Sequence, residues 1–277
     1  MHLVNSLIVG GAEVALLQYI QALGMEDYDH YVYSFGHDGP LRKKIEALGL
    51  PVYFGPKRAI IKRPVKFGLS VVLLVRNLLN FLKNKRIQVI QSHLGQANQL
   101  AVLVSKLSGI PAFPTVHSTN PFEDRRSKWN PRVYLIKTVN ALIYRLADRV
   151  VTVSREIKNI MQKTYGLGDP KILVLKNGIV FQDDLAEPGQ IAKEFPDSIN
   201  KLKLIAVGRL VPLKCFDILI RAVAEVVNAG YDVLALIAGE GEKRLSLEKL
   251  VLDLGVGRHV KLLGLRHDVI ELMKDSD

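Results

Sequence analysis

The sequence predicts an α/β protein of two domains, each built around a parallel, doubly wound sheet. Apolar runs alternate with amphipathic helical patterns along nearly the whole chain, which is typical of a parallel sheet between two layers of helices. The same alternation starts again after a polar, proline-bearing stretch at 182–201. With 277 residues, of which 48% are hydrophobic, the chain can bury two moderate cores. We therefore predict domains at 1–181 and 202–277, joined by 182–201.

Each predicted strand is a short apolar run bounded by turn residues. Seven such runs lie in the first domain, at Leu3–Ser6, His30–Phe35, Val52–Phe54, Val89–Ser92, Ala112–Val116, Arg149–Val153 and Ile172–Leu175. Three lie in the second, at Leu202–Val207, Val233–Ala238 and Val260–Leu263. A complete domain of this kind needs about six strands. We therefore expect the second domain to be incomplete and the chain to be a fragment.

The net charge of +11 is concentrated in the first part of the chain. Residues 1–185 hold 25 Lys and Arg against 13 Asp and Glu, whereas residues 186–277 hold 13 against 14. Between Lys57 and Arg86, nine cations flank an apolar helical stretch that begins at Phe67. That stretch is too short and too interrupted to span a bilayer, but it suits an anionic membrane surface as well as an ordinary core helix. With few aromatics among the cations, nucleic acid is not an expected partner.

Cysteine content and the start of the chain bear on the compartment. Cys215 is the sole cysteine, so the chain has no internal disulfide framework and no cysteine-rich metal site. No secretory leader opens the sequence. We expect a cytoplasmic protein, or one that is peripheral at the inner face of the cytoplasmic membrane.

The junction at 208–217 carries most of the functional information. Here the apolar strand Leu202–Val207 gives way to a predicted helix, and Arg209 and Lys214 lie five residues apart at the turn. A strand that runs into a helix places backbone N–H groups and the positive end of the helix dipole at the carboxyl edge of the sheet. Two fixed cations at that edge predict a diphosphate site and therefore a nucleotide-linked substrate.

An ordered set of motifs extends this interpretation to a family. In chain order they are Gly10-Gly11-Ala12-Glu13, Val153-Ser154, Lys171-Ile172 leading to Lys176-Asn177-Gly178-Ile179, Gly208-Arg209 with Lys214, and Gly239-Glu240-Gly241. In order and spacing they resemble the retaining GT-B glycosyltransferases of glycosyltransferase family four. The resemblance implies two Rossmann-like domains, an acceptor-side domain followed by an incomplete donor-side domain.

The resemblance implies roles for residues at strand ends of the first domain. Gly10 and Gly11 would allow the backbone to approach the donor diphosphate and the acceptor. His117 follows the strand Ala112–Val116 and would contact the transferred sugar, where a neutral imidazole can donate or accept a hydrogen bond. His93 is a candidate on the acceptor side. Each also has a structural interpretation, as a tight turn or as a loop residue at a strand end.

In the second domain the resemblance gives Arg209 and Lys214, beside Gly208, the role of neutralising the diphosphate as the glycosidic bond breaks. With His117 they form the predicted catalytic set. Gly239 and Gly241 would let the backbone pass close to the nucleoside, and Arg266 would flank the base. No metal is required on this interpretation, because Arg209, Lys214 and helix dipoles meet the phosphate charge.

The sequence departs from the family pattern in two places. Cys215 stands where the family usually has glycine, which would crowd the turn or simply replace one small residue with another. The family's paired glutamates would come just beyond Asp277, so we expect the chain to lack groups that hold the donor's sugar and ribose.

The predicted function is transfer of a sugar, with retention, from a nucleotide-sugar to a lipid-linked or cell-envelope saccharide, as in polysaccharide biosynthesis. The resemblance favours UDP over GDP as the nucleotide. Two alternatives stay open from the sequence. One is a sugar-nucleotide epimerase or a phosphorylase on the same fold. The other is a non-catalytic fragment, or a half that depends on a partner chain.

Overall fold

The computed structural model describes residues 1–8, 10–23, 28–56, 64–118, 131–178 and 189–277, with the backbone alone at 64–69 and 131–133. The chain divides into two compact units, Met1–Phe181 and Gln182–Asp277. Within the described residues each unit holds one parallel sheet, with seven strands in the first and three in the second. The prediction of two parallel α/β sheets is therefore confirmed.

The elements of the first unit alternate strictly between strand and helix. They are β1 (His2–Val4), α1 (Gly11–Leu23), β2 (Val32–Ser34), α2 (Leu41–Ala47), β3 (Val52–Phe54), α3 (Pro64–Asn84), β4 (Ile90–His93), α4 (Gly95–Ser108), β5 (Ala112–Val116), α5 (Pro131–Leu146), β6 (Val150–Thr152), α6 (Arg155–Tyr165) and β7 (Ile172–Val174).

The strand order of the first sheet is β3-β2-β1-β4-β5-β6-β7, with parallel pairing throughout. The order reverses between β1 and β4, and open α/β sheets bind ligands outside the carboxyl ends of the strands at such a point. Neighbouring residues of β1 face opposite layers: Val4 packs with α1 and α2, and Leu3 packs with α3 and α4. The topology thus makes the residues that follow β1 and β4 the expected place for a ligand.

The helix α3 is the apolar stretch that the sequence places among cations. Its buried side chains Leu74, Leu78 and Leu82 repeat every four residues and join the core beneath the helix. On the opposite side Val72 and Leu73 are exposed. The side chains that made this stretch apolar are therefore mainly core residues. The structure describes no helix that is long and apolar enough to cross a membrane, within the ranges given above. The cations at 57–63 lie outside those ranges.

The second unit repeats the alternation on a smaller scale. Its elements are α7 (Gln190–Glu194), β8 (Leu202–Val207), α8 (Phe216–Asn228), β9 (Val233–Ala238), α9 (Arg244–Asp253), β10 (Val260–Gly264) and α10 (Val269–Lys274).

The ten strands in the described part of the chain match the ten predicted from the sequence, and those at 52–54, 112–116, 202–207 and 233–238 have the predicted bounds. Residues 189–201, predicted to join the domains, pack into the second unit. Ile191 of α7 is fully buried in one cluster with Leu236 and Leu272. The Asp275 carboxylate accepts hydrogen bonds from the backbone N–H groups of Gly189 and Ile191, at 2.7 and 2.9 Å.

Candidate functional site

His93 and His117 lie together at the carboxyl ends of the neighbouring strands β4 and β5. The Nδ1 atom of His93 is 3.0 Å from the Nε2 atom of His117, which is hydrogen-bonding distance. The other ring nitrogens, Nε2 of His93 and Nδ1 of His117, are buried and have no hydrogen-bond partner among the described residues. Two residues that the sequence nominated separately, 24 positions apart, therefore form one pair.

Burial keeps both imidazoles of this pair neutral. It lowers the pKa of His93 to about 3, with a smaller contribution from the neighbouring His117, and it lowers the pKa of His117 as well. Between two neutral rings, one facing nitrogen must donate and the other must accept. When His117 donates through Nε2, its Nδ1 becomes an acceptor that can take a hydrogen bond, or a proton, from a substrate hydroxyl. When His93 donates, Nδ1 of His117 becomes a donor.

A cavity of about 170 Å³ lies beside this pair, beneath α1 and against one face of the sheet. Its polar lining includes Gln91, His93, Thr115 and His117, which stand two residues apart on β4 and on β5 and its continuation. Sequence reasoning missed Gln91 and Thr115. Each lies two residues before a nominated histidine and therefore on the same side of its strand, and this spacing could have identified both.

Leu94, the residue after His93, has a strained backbone. Its φ of +73° and ψ of 162° are rare for a residue with a side chain, and such conformations cost about 1–3 kcal/mol. The loop after β1 is tied to the same place, since the Asn5 side-chain carbonyl accepts a 2.8 Å hydrogen bond from the backbone N–H of Ala97 in α4. Strain of this kind concentrates at functional sites, which agrees with the position of the histidine pair at the reversal of strand order.

Gly10 and Gly11 lie at the start of α1. A methyl group at Gly11 would have nothing within 4 Å, and one at Gly10 would meet only the flexible carboxylate end of Glu13, at 2.5 Å. Packing within the described residues therefore does not require glycine at Gly11. The prediction that these glycines leave room for a ligand remains a prediction.

In the second unit, packing against backbone requires glycine at Gly239 and Gly241, and their predicted approach to a nucleoside stays a prediction. An added Cβ at Gly239 would lie 1.9 Å from the carbonyl oxygen of Gly208, and one at Gly241 would lie 2.4 Å from that of Leu210. Backbone hydrogen bonds hold these loops together: Gly208 donates to Ala238 at 3.0 Å, and Leu210 donates to Glu240 at 2.9 Å. Gly239 and Gly241 thus allow the loop after β9 to pack closely against the backbone of the loop that carries Arg209.

Arg209 and Lys214 are exposed at the end of β8 and form no ion pair with any residue that the structure describes. Lys214 closes a short 3-10 turn, Pro212–Lys214, and its aliphatic stem lies about 3.6 Å from where a Cβ on Gly208 would be. The Lys214 side chain therefore passes close to the strand end, and Lys214 comes just before the N-terminus of α8 along the chain. Cations and a helix N-terminus at a strand end suit an anion.

Two arginines that follow β9 and β10, Arg244 and Arg266, are ion-paired with carboxylates of this unit. Arg244 binds the carboxylates of Glu240 and Glu248. Arg266 binds Glu194 through two nitrogens, at 2.7 and 2.9 Å, and Asp268 at 2.6 Å. Arg266 therefore ties α7 to the loop after β10, and its predicted contact with the base stays a prediction.

Cys215 is the residue that departs from the family pattern between Lys214 and α8. Its φ of +51° and ψ of 37° are left-handed, a conformation that favours glycine. A residue with a side chain pays about 1–2 kcal/mol there. The side chain itself is exposed, with its Sγ atom 3.4 Å from the carbonyl oxygen of Pro212, so the departure strains the backbone rather than the packing.

Each of the two units matches the model of a known protein family. Residues 9–182 match the family model described as Glycosyltransferase Family 4, and residues 190–277 match that described as Glycosyl transferases group 1. The chain belongs to glycosyltransferase family 4, and its two parallel α/β units are of the GT-B class. The family and the fold predicted from the sequence are both confirmed.

Two curated relatives indicate the chemistry found among similar proteins. The chain is 28% identical over 264 residues to the phosphatidylinositol N-acetylglucosaminyltransferase GPI3 subunit of Saccharomyces cerevisiae, covering 92% of this chain and 55% of the relative. It is 24% identical over 281 residues to the Escherichia coli UDP-Gal:alpha-D-GlcNAc-diphosphoundecaprenol alpha-1,3-galactosyltransferase, covering 98% and 69%. The chain spans about half the length of the GPI3 relatives that it matches.

Among solved structures, Anabaena Alr3699/HepE in complex with UDP superposes with a TM-score of 0.76 at 21% identity, covering all of this chain and 71% of that one. The lipopolysaccharide outer core galactosyltransferase WaaB superposes with a TM-score of 0.62 at 16% identity, covering 99% and 71%. At these identities the likeness shows the fold alone.

The buried histidine pair gives a prediction for pH dependence. Because His93 stays neutral in the folded protein, acidification below its ordinary pKa of 6.5 protonates it only in the unfolded chain. Its contribution to stability is therefore complete above pH 6.5 and is lost as the pH falls toward 3. Between pH 7 and pH 5 one such histidine lowers the free energy of unfolding by about 2 kcal/mol.

We expect His93→Gln to reduce the loss of stability between pH 7 and pH 5 by about that amount, measured by urea unfolding at both pH values. The matched control is His37→Gln, which makes the same substitution at an exposed side chain. An unchanged pH dependence in the His93 variant would contradict the buried, neutral state of that ring.

Proposed function

We propose that this chain belongs to a glycosyltransferase that moves a sugar from a nucleotide-sugar to a lipid-linked or saccharide acceptor. The observation that carries the proposal is the pair Arg209 and Lys214, two exposed cations without an ion-pair partner among the described residues, at a strand end that leads into a helix. A nucleotide diphosphate supplies the anionic charge that such a site lacks.

In the proposed reaction Arg209 and Lys214 stabilise the charge that develops on the leaving diphosphate. Hydrogen bonds and ion pairs to that group strengthen as the bond to the sugar breaks, so they lower the barrier more than they tighten substrate binding. His117, neutral and held by His93, contacts the transferred sugar. We infer retention at the anomeric carbon, with leaving-group phosphate assisting deprotonation of the acceptor, from the family resemblance.

The identity of the substrates is inferred from the relatives. A UDP-sugar is proposed as donor because HepE was solved with UDP and the E. coli relative is named for UDP-Gal. A lipid-linked acceptor is proposed because the two curated relatives are named for phosphatidylinositol and for a diphosphoundecaprenol-linked sugar. No metal is invoked, because Arg209, Lys214 and the start of α8 meet the diphosphate charge in this proposal.

Product analysis tests the proposal against the other activities that the fold allows. The protein is incubated with UDP-sugars, with and without lipid-linked acceptors, and the products are identified by mass spectrometry and by the anomeric signals in NMR. We expect UDP release that depends on the acceptor and a product with retained configuration. Conversion of the donor without acceptor would indicate an epimerase, and a requirement for inorganic phosphate would indicate a phosphorylase. Absence of turnover with any acceptor would contradict catalysis by this chain.

A further inference from the structure

The outward face of α5 is apolar. Leu135, Val139, Leu142 and Leu146 follow one another at spacings of four, three and four residues, so they form one stripe along the helix. Their side chains are between 43% and 63% exposed. The opposite side of the helix is buried through Asn140 and Tyr144, which fixes the direction of the stripe toward solvent.

The neighbouring helix α4 extends this apolar surface. Its Leu103 and Leu107, one turn apart, are 45% and 60% exposed. The two helices pack side by side, and the Gln99 side chain of α4 donates a 2.8 Å hydrogen bond to Asn140 of α5. We call the six exposed side chains the α4–α5 ridge: Leu103, Leu107, Leu135, Val139, Leu142 and Leu146.

The charge around the ridge is mostly positive. One carboxylate borders it, that of Asp148 just after α5, which lies 3.7 Å from the Lys106 ammonium group. The sequence has no Asp or Glu from 47 to 122 and none from 125 to 147, so α3, α4 and α5 contain no carboxylate. The same three helices hold Lys66, Arg76, Lys83, Lys106, Arg132, Lys137 and Arg145. The exposed side of α6 in the same unit is of mixed charge, with Arg155, Glu156 and Lys163. A water-facing helix normally has that mixed pattern.

We propose that the α4–α5 ridge is a docking surface that lies against an anionic lipid bilayer. A helix in the plane of a membrane interface buries an apolar stripe among the acyl chains, and basic residues beside the stripe bind the anionic head groups. A second copy of this chain would place one predominantly positive face against another, which like charges oppose. The proposal is independent of the sugar-transfer chemistry.

Vesicle flotation of the whole chain tests this surface. We expect the chain to float with vesicles of phosphatidylcholine containing 30% phosphatidylglycerol, on the order of the anionic content that attracts polybasic segments. Binding should weaken at least about tenfold with phosphatidylcholine alone or when salt is raised from about 0.05 to 0.5 M. These measurements use the unaltered chain, so they do not depend on how a variant folds.

The apolar contribution is tested with the double variant Leu135→Gln, Leu142→Gln. It should lower partitioning into anionic vesicles about tenfold or more, because each leucine loses burial among acyl chains. The matched control is Leu245→Gln, Leu252→Gln on α9, two leucines with the same spacing that are 80% and 76% exposed in the second unit. The control should float like the parent chain.

Equal flotation of the ridge variant and the parent would overturn the proposal, as would failure of the parent to bind anionic vesicles. Equal binding to neutral and anionic vesicles would overturn the electrostatic part. A dimer in size-exclusion chromatography that the ridge variant abolishes, without vesicle binding, would assign the ridge to self-association instead.

Discussion

Replacing Lys214 by alanine should lower the turnover number of sugar transfer about a hundredfold, which is typical for the loss of one group that stabilises transition-state charge. The side chain of Lys214 passes close to Gly208 at the end of β8 and has no ion-pair partner among the described residues. In the proposed reaction it meets charge that grows as the diphosphate leaves. The loss should therefore appear equally in kcat and in kcat/KM, with KM little changed.

Steady-state kinetics with a UDP-sugar and a lipid-linked acceptor measure this effect. The control is Lys249→Ala, which removes the same charge from an exposed position on α9 of the same unit. Lys249→Ala should have the turnover number of the parent. A parental turnover number for Lys214→Ala would show that Lys214 has no part in the chemical step.

Replacing Gly239 by alanine should lower the free energy of unfolding by roughly 2–5 kcal/mol, since it combines backbone strain with steric overlap. The φ of Gly239 is +151°, and an added Cβ would lie 1.9 Å from the carbonyl oxygen of Gly208. The obstacle is backbone, so the loops after β8 and β9 would have to separate. That movement would also displace Arg209, and we expect weaker nucleotide binding in addition to lower stability.

Urea unfolding at pH 7 measures the change in stability. The control is Gly257→Ala in the same unit, where the nearest atom to an added Cβ is the Val251 side chain, at an ordinary 4.0 Å. The control should be within about 1 kcal/mol of the parent. Parental stability of Gly239→Ala would contradict the tight contact between the two loops.

The strands and the junction at 208–217 could be predicted from the sequence because they depend on local pattern. Apolar runs bounded by turn residues gave every strand, and Arg209 and Lys214 lie at the predicted strand end. The contact between His93 and His117 could not be predicted in the same way, since it depends on the pairing of β4 with β5. Strand pairing joins residues that are distant in sequence, and a single sequence does not state it.

The packing role of Gly239 and the exposure of helix side chains also could not be predicted from local sequence pattern. The suggestion that Gly239 approaches a ligand stays a prediction, and nothing in the sequence indicated that Gly239 lies against the carbonyl oxygen of Gly208. The sequence also left open whether α3 faces a membrane or is a core helix, and in the structure Leu74, Leu78 and Leu82 turn inward while the leucines of α5 face solvent. Composition counts apolar residues without giving their direction, and the direction depends on how each helix packs.

In the proposed reaction Arg209 and Lys214 bind the diphosphate of a nucleotide, and titration calorimetry measures that binding directly. UDP and uridine are titrated into the chain and into the double variant Arg209→Ala, Lys214→Ala. We predict that the parent chain binds UDP at least about tenfold more tightly than uridine, because charge-assisted hydrogen bonds to phosphate are strong, and that the double variant loses this preference. Equal affinity of the parent for UDP and uridine, or a preference for UDP that survives in the double variant, would contradict this role of the two residues.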